Sequence, residues 1–558
     1  MGLPAFVLLV VALGALIPFL PALRASFLAD DFPVVRAFLA SRQTWLQFAV
    51  GALTAMRGIP LNFYRPLPYI MLYTETCVWG TWAFGSHAVS LALHVVNTLL
   101  VVALLHRLLQ HDARRRLSAL RHESESPSGA VNARSMLGPS ATPLMASVAA
   151  ALFFAIHPRR VEAVAWLSCR PDLLCATFAL VAAFAYVRAA ESGDWRWDLL
   201  SWASWCGAVM SKEAALLLPL CFPFFDWLTA RAGGARGTIR PARRLLPFII
   251  SIVLYPILRR AVIGEWIGGY GWSALRPSLS TLTSVPKFIA YGLLPPLEWS
   301  NRWLPADAVF RLAAVFIGLL VGFVLVLAFR LRGDRSVWAA AAWLVACSLP
   351  ASSLRLSLGT TFNDRFLYLP SVAAALFIAA ALVRVRARWL AALVLLELVL
   401  GVQTWLVTDR WRVASDLTNR IVGQVAERLH AAGGGTPVYL ASLPDSYRGA
   451  YMLRSGIRDA LEIRGAEGGS RLVELSHYFL ETPDVAPLSA RLTGNLVVAL
   501  DARSGQPEIL PSGVRDVPVL ASGTRRDRFG RLDHVEFRLP APGPVWLVTP
   551  AAIEVVGR

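Results

Sequence analysis

The sequence predicts a polytopic α-helical membrane protein of about eleven spans with a soluble C-terminal α/β domain. Three observations predict this. Only 16% of the 558 residues are charged and the mean hydropathy is +0.54, whereas soluble chains carry about 25% charged residues. Apolar runs of membrane-crossing length, which is roughly 20 residues, begin at Leu3–Leu23 and recur as far as Trp405. After Leu406 the composition turns to mixed polar and apolar. The chain therefore divides into a membrane domain, 1–406, and an α/β domain, 407–558.

The expected spans are 3–23, 86–109, 143–157, 172–190, 197–211, 213–229, 245–263, 309–330, 336–354, 366–384 and 388–406. The first has no basic n-region and no small-x-small site before Ser26, so it reads as an uncleaved anchor. Arginines crowd the loops assigned to the cytoplasm: Arg114–Arg116, Arg240, Arg243 and Arg244, and Arg384, Arg386 and Arg388. Retention of positive charge on the cytoplasmic side accounts for the net charge of +18 without a nucleic-acid partner. The N-terminus then lies inside, and an odd number of crossings puts the C-terminal domain outside, in the periplasm of a bacterial inner-membrane protein. The stretch 285–298, broken by Pro295 and Pro296, reads as an interfacial or re-entrant segment buried against protein. His122–Asn132 reads as a linker. In the C-terminal domain, Pro437–Leu443, Gly494–Leu500 and Val545–Thr549 read as strands, and Ala414–Ala431 and Ala450–Ile463 as helices.

The six cysteines show no metal-ligand spacing. Cys175, Cys206, Cys221 and Cys347 fall in apolar runs and read as core, while Cys77 and Cys169 are the two that an outer-face disulfide would use.

An ionisable residue at span depth is a functional hypothesis by default. Asp30-Asp31 directly follows the first span. Adjacent carboxylates repel, so a proton or a divalent cation at the pair would stabilise it. Further clusters are Tyr64-Arg65-Pro66-Leu67, His157 to Trp166 (HPRRVEAVAW, with Arg160 and Glu162), Arg170 and Asp172, Lys212-Glu213, Arg259-Arg260, and Asp364-Arg365. All map to the outer face. His87, His94 and Asn97 share one helix face; His94 and Asn97 read first as buried packing residues and second as site lining. Carboxylates and cations beside lipid suit a substrate with a phosphate head and a lipid tail, such as a polyprenyl-phosphate-linked sugar. Its phosphate leaves as a stable anion, so cationic stabilisation replaces a strong acid, and one carboxylate base serves the attacking hydroxyl. A transporter would place charge at the bilayer midplane and show internal repeats, and neither is visible.

The ordered set Asp30-Asp31, YRPL, His94/Asn97, HPRRVEAVAW with Arg170 and Asp172, Ser211-Lys212-Glu213 and Asp364 to Ser371 (DRFLYLPS) resembles the GT-C membrane glycosyltransferases. It is most similar to the transmembrane tetratricopeptide-containing O-mannosyltransferases and, more distantly, to the dolichyl-phosphate-mannose protein mannosyltransferases. The resemblance implies a polyprenyl-phosphate sugar donor, mannose being the first candidate, and outer-face transfer to a protein or to an envelope glycan or lipid. It also implies that Asp30 or Asp31 is the base and that His157, Glu162, Arg170 and Asp172 shape the site. Lys212, Arg259 and Arg365 are assigned to the donor phosphate on charge and depth alone, with Arg65, Glu213 and Asp364 alongside. Two departures stand out. Arg160 replaces a histidine common in relatives, and no 34-residue repeat follows the last span.

Overall fold

The structure, a computed structural model of the chain, describes residues 4–55, 63–124, 142–230, 241–266, 284–296, 306–331, 333–351, 361–384, 388–433, 435–482, 488–494, 496–504, 508–513, 517–523 and 530–556. Most of the linker His122–Asn132, Arg386 and most of the loop 264–308 lie outside the described residues. Contacts divide the chain into two compact units. The first is 1–20, 43–72 and 88–408; the second is 21–42, 73–87 and 409–558.

The helices are α1 Ala5–Leu16, continued as a 3-10 helix Ile17–Arg24, then α2 Asp31–Leu39, α3 Trp45–Thr54, α4 Pro66–Trp79 and α5 Ala83–Ser124. Next come α6 Pro143–Ile156, α7 Val161–Ala165, α8 Arg170–Ser192, α9 Trp195–Ser211, α10 Phe222–Thr229 and α11 Pro241–Ile263. The series ends with α12 Ser284–Leu293, α13 Ala306–Arg330, α14 Arg335–Ser348, α15 Val372–Leu382, α16 Arg388–Ala432 and α17 Ile457–Ile463. The chain is thus a polytopic α-helical membrane protein with a C-terminal α/β domain. Among the described residues, five helices are long and apolar enough to cross a membrane: Ala5–Arg24, Ala83–Arg115, Leu167–Ser192, Arg243–Ile263 and Arg388–Ala432. The pair Pro143–Ile156 and Pro158–Ala165, bent by 60°, makes a sixth if counted as one span.

Local chemistry sets these boundaries. Thr142 caps α6 by accepting from Met145 N–H at 3.2 Å, and Pro143 occupies its first turn. The helix stops at His157, which is extended, because Pro158 comes next. Gly193, in the left-handed region at φ 70°, ends α8, and Asp194 caps α9 through Arg196 N–H at 3.0 Å. The expected span 213–229 is not a continuous helix. Lys212 is extended, and two 3-10 turns, Glu213–Ala215 and Leu218–Cys221, precede the short α10, with Pro219 and Pro223 interrupting the ladder. The segment expected to be re-entrant forms α12, whose Phe288, Ala290 and Tyr291 pack with Ala351, Phe366 and Leu367.

In the first unit, helices α8 and α9 are antiparallel partners, and the far end of this hairpin carries its own polar cluster. Glu191 accepts from Arg107 at 2.6 Å, His111 at 2.7 Å and Arg188 at 2.9 Å. Arg244 bonds Asp198 and Asp226, each at 2.8 Å, and Arg384 pairs with Asp112 and Asp334. Several of these arginines are therefore bonded structural groups.

In the second unit, the described residues form a seven-stranded sheet in the order β11 (Ile553–Val555), β10 (Val545–Val548), β1 (Val438–Tyr447), β4 (Ser476–Leu480), β7 (Ile509–Pro511), with β2 (Ala450–Tyr451) and β3 (Leu472–Glu474) also paired to β1. The central β1, Val438–Tyr447, is buried throughout and runs parallel to β4, Ser476–Leu480, and to β10, Val545–Val548. Such two-sided burial is typical of the middle of a mixed sheet. Among the described residues a four-stranded sheet has the order β5 (Leu488–Thr493), β6 (Val497–Ala502), β9 (His534–Arg538), β8 (Val519–Ser522). The three expected strands correspond to β1, to β6 (Val497–Ala502) and to β10. The expected helix Ala450–Ile463 is shorter. Ala450–Tyr451 pairs with Ser446–Tyr447 as a hairpin, and Gly456 at φ 82° precedes α17. The expected helix Ala414–Ala431 is the end of α16, so the composition change near 406 falls inside one helix. All six cysteines are free; Cys169, Cys175, Cys221 and Cys347 are buried and Cys77 is exposed.

Glu191→Ala would remove the acceptor shared by Arg107, His111 and Arg188. We expect a loss of about 2 kcal/mol, measured as a lower Tm of the detergent-solubilised protein.

Candidate active site

The outer-face charges predicted from sequence in the first unit pair with one another. The bend between α6 and α7 turns HPRRVE inward. Arg159 Nη1 donates to Asp364 Oδ1 at 2.8 Å, and both side chains are fully buried. Arg159 Nε also donates to the Leu294 carbonyl at 2.8 Å, and its guanidinium lies 4.7 Å from the Tyr291 ring centre. This one arginine therefore ties α12 to the turn preceding α15. Burial raises the Asp364 carboxyl to about 7, opposed by the Arg159 guanidinium beside it.

Glu162 takes both the backbone N–H of Arg365, at 2.9 Å, and its guanidinium. Asp172, in the first turn of α8, accepts from Lys212 Nζ at 2.5 Å, where the chain leaves α9. Glu213 accepts from Arg65 Nε at 3.0 Å and Nη2 at 2.8 Å, and its other oxygen lies 3.3 Å from Arg259 Nη1. Phe366 joins these pairs: the Arg365 guanidinium stands 4.8 Å and the Lys212 ammonium 4.3 Å from its ring centre. Since Asp364-Arg365 and Lys212-Glu213 are chain neighbours, the pairs form one continuous buried network (Arg159, Asp364, Arg365, Glu162, Phe366, Lys212, Asp172, Glu213, Arg65 and Arg259).

Lys212, Arg259 and Arg365 are the cations expected at a donor phosphate. Each already faces a carboxylate. Arg160 differs: it is fully buried, its Nε donates to the Phe154 carbonyl at 3.3 Å, and neither Nη1 nor Nη2 has a partner among the described residues. A buried guanidinium without an acceptor calls for an anion. Arg170 is also buried, at the start of α8. Arg260 is exposed, as a snorkelling side chain would be.

His94 and Asn97 form a satisfied packing knot. His94 bonds the Tyr368 hydroxyl at 2.7 Å and the Ala155 carbonyl at 3.2 Å. Asn97 donates to the Leu173 carbonyl at 3.0 Å and accepts from Thr177 Oγ1 at 2.7 Å. The geometry favours the packing reading and leaves neither side chain a free polar atom for substrate. His157 accepts from Arg159 N–H at 3.4 Å and shapes the bend. Sequence reasoning missed Arg159, although the doubled arginine of HPRRVE flagged the position. It also missed Phe366, whose only signal was its place between Asp364-Arg365 and Tyr368.

Asp30 and Asp31 belong to the second unit. Asp31 is buried and its Oδ2 accepts from Leu28 N–H at 3.0 Å; Asp30 Oδ1 accepts from Ser455 Oγ at 2.7 Å. Among the described residues no group of three or more His, Cys, Asp or Glu side chains has metal-holding geometry.

Removing either member of the Asp172–Lys212 pair leaves a buried charge uncompensated. Asp172→Ala and Lys212→Ala should each cost about 3–5 kcal/mol, and Asp172→Asn combined with Lys212→Met should recover most of that loss. Thermal unfolding of the three proteins in detergent checks this.

No protein-family model matches the chain, and no curated protein matches it. Among solved structures, the chain is similar to the crystal structure of ArnT from Cupriavidus metallidurans bound to undecaprenyl phosphate, at 13% identity and a TM-score of 0.39, over 84% of this chain and 89% of that one.

Proposed function

We propose that the protein is an inverting glycosyltransferase that moves a sugar from a polyprenyl-phosphate donor to an acceptor hydroxyl on the outer face of the membrane. The observation that carries this reading is the buried network of the first unit, with Arg160 as its unmatched cation. Five basic side chains (Arg65, Arg159, Lys212, Arg259 and Arg365) pair with four carboxylates (Glu162, Asp172, Glu213 and Asp364), and Arg160 adds a sixth cation beside them. The surplus positive charge suits a phosphate, and the low-dielectric surroundings strengthen its effect on a departing anion.

In the proposed reaction, the acceptor oxygen attacks the anomeric carbon as the bond to the phosphate oxygen breaks. The bonding electrons leave with polyprenyl phosphate, and the hydroxyl proton passes to Asp30 or Asp31. One displacement inverts the anomeric centre. Arg160 holds the phosphate, and the neighbouring ion pairs keep it fixed, since each pair constrains two elements of the fold.

The acceptor we favour is a lipid or envelope-glycan hydroxyl. The C-terminal region folds as strands with a single short α-helix after α16 among the described residues, whereas tandem helical repeats accompany protein acceptors in the family that the sequence resembles. We further propose eleven crossings, a cytoplasmic N-terminus and a periplasmic C-terminal domain, consistent with the arginine-rich loops.

Asp30→Asn or Asp31→Asn should lower transfer by about 10²-fold or more with insertion and folding retained, assayed with purified protein and a polyprenyl-phosphate sugar, mannose first. Full turnover in both single variants would remove the base assignment. Arg160→Gln should raise the donor KM by about tenfold or more. Mass spectrometry of envelope lipids and secreted proteins from a deletion strain should show the loss on the lipid or glycan. For topology, an alkaline phosphatase fused at the C-terminus should be active.

A further inference from the structure

Asp30 stands on a loop of the second unit that the C-terminal domain holds at several points. The central strand β1 carries irregularities in its pairing with β10, between Leu440 and Ser442, and in its pairing with β4, between Pro444 and Ser446. After the hairpin the chain returns alongside β1, with Met452 N–H donating to the Asp445 carbonyl at 2.8 Å and Leu453 N–H to the Pro444 carbonyl at 3.1 Å. Arg454 then reaches back to Asp445, Nε to Oδ1 at 3.1 Å. Burial raises the Asp445 carboxyl, and Arg454 opposes that rise. The return strand is thereby fixed to the sheet.

That return strand grips the loop bearing the twin aspartates. The Met452 carbonyl accepts from Ala29 N–H at 2.9 Å. Ala29 is fully buried at φ 45°, a left-handed conformation that an alanine holds only when its surroundings impose it. Ser455 Oγ donates to Asp30 Oδ1 at 2.7 Å. Gly456, also left-handed at φ 82°, lets the two chains touch, because a Cβ there would lie 3.0 Å from the Ala29 carbonyl oxygen, Phe32 Cβ and Pro33 Cδ. Further along, Arg36 of α2 pairs with Asp459 of α17 and donates to Glu462 at 3.0 Å. The hydrogen bond to Asp459 raises the Arg36 pKa.

We infer that the Met452–Gly456 segment positions the catalytic carboxylate, with Ser455 orienting Asp30 through its hydroxyl and Gly456 setting the approach of the loop. The inference rests on the reading of Asp30 as the base and gives the α/β domain a part in the reaction. Ser455 is a positioning residue: it acts through Asp30 and touches no reacting atom. The arrangement also separates the two carboxylates. Asp31 is buried and capped by its own loop, while Asp30 is the half-exposed member whose orientation comes from another part of the chain.

Two readouts on the full-length protein in detergent test this. Hydrogen–deuterium exchange over residues 28–39 should rise in Ser455→Ala and more in Gly456→Ala, and unchanged exchange in both would overturn the positioning claim. In the sugar-transfer assay, Ser455→Ala should lower kcat about tenfold with the donor KM unchanged, and Ser455→Thr, which keeps the hydroxyl, should restore it. In an Asp30→Asn background, Ser455→Ala should cost nothing further, because its effect passes through the lost carboxylate. An additive loss in that background, or failure of the threonine rescue, would overturn the orienting role. If the wild-type protein transfers no sugar while the exchange results hold, the glycosyltransferase reading falls and the grip on the loop stands.

Discussion

Charge buried beside lipid has to be neutralised, and that single constraint organises the first unit. A carboxylate or guanidinium moved away from water costs several kcal/mol unless a partner of opposite sign meets it with good geometry. Arg159 and Asp364 meet this condition with both side chains inaccessible. Glu162, Asp172 and Glu213 each meet it with a cation from a distant part of the chain. The pairs are as much a scaffold as a site. They join the α6–α7 bend, the start of α8, the exit from α9, the C-terminal end of α11 and the turn before α15, and the aromatic face of Phe366 fills the space between two of the cations.

Within such a network an unmatched member stands out. Arg160 keeps its two terminal nitrogens without a protein acceptor among the described residues although it is wholly buried. Folding would not retain that arrangement for stability, since an apolar side chain of the same volume would fit with less desolvation. Its retention is consistent with an anion supplied by a ligand. The opposite end of the α8–α9 hairpin uses the same physics for a different purpose. There Glu191, Asp198, Asp226 and Asp334 pair with Arg107, Arg188, Arg244 and Arg384.

The second unit obeys a different rule, that of backbone pairing. Its central strand is buried throughout, and irregularities in its pairing accompany a return segment that bonds backward onto the sheet. Residues 21–42, which carry Asp30, belong to this unit by contact, although Asp30 and the serine that holds it, Ser455, stand at opposite ends of the chain. Strain at Ala29, tolerated because the Met452 carbonyl holds its N–H, sits one residue before Asp30. A strained residue beside a carboxylate pair is the kind of local cost that structure elsewhere compensates.

Hydropathy and arginine placement alone determined the membrane class, the helical character of the chain up to residue 406, and the α/β nature of the C-terminal region. Burial of an entire helix or strand leaves its mark on every residue in the run, so composition reports it. The set of charged outer-face residues was also legible, because a charge next to an apolar run is anomalous wherever it falls. Partner identity was not legible. Nothing in the spacing of Glu162 and Arg365, or of Asp172 and Lys212, encodes which carboxylate meets which cation, since each pairing depends on helix bends and crossings made by remote packing. The same holds for the broken segment 213–229, whose apolar composition is that of a span while Pro219 and Pro223 deny it a continuous ladder. Tertiary structure alone decided that His94 and Asn97 bond to Tyr368 and Thr177 in the core, that Arg160 is the cation left unmatched, and that Ser455 reaches Asp30. Each of these is a contact between side chains far apart in the chain, fixed by a geometry that no periodicity in the sequence carries.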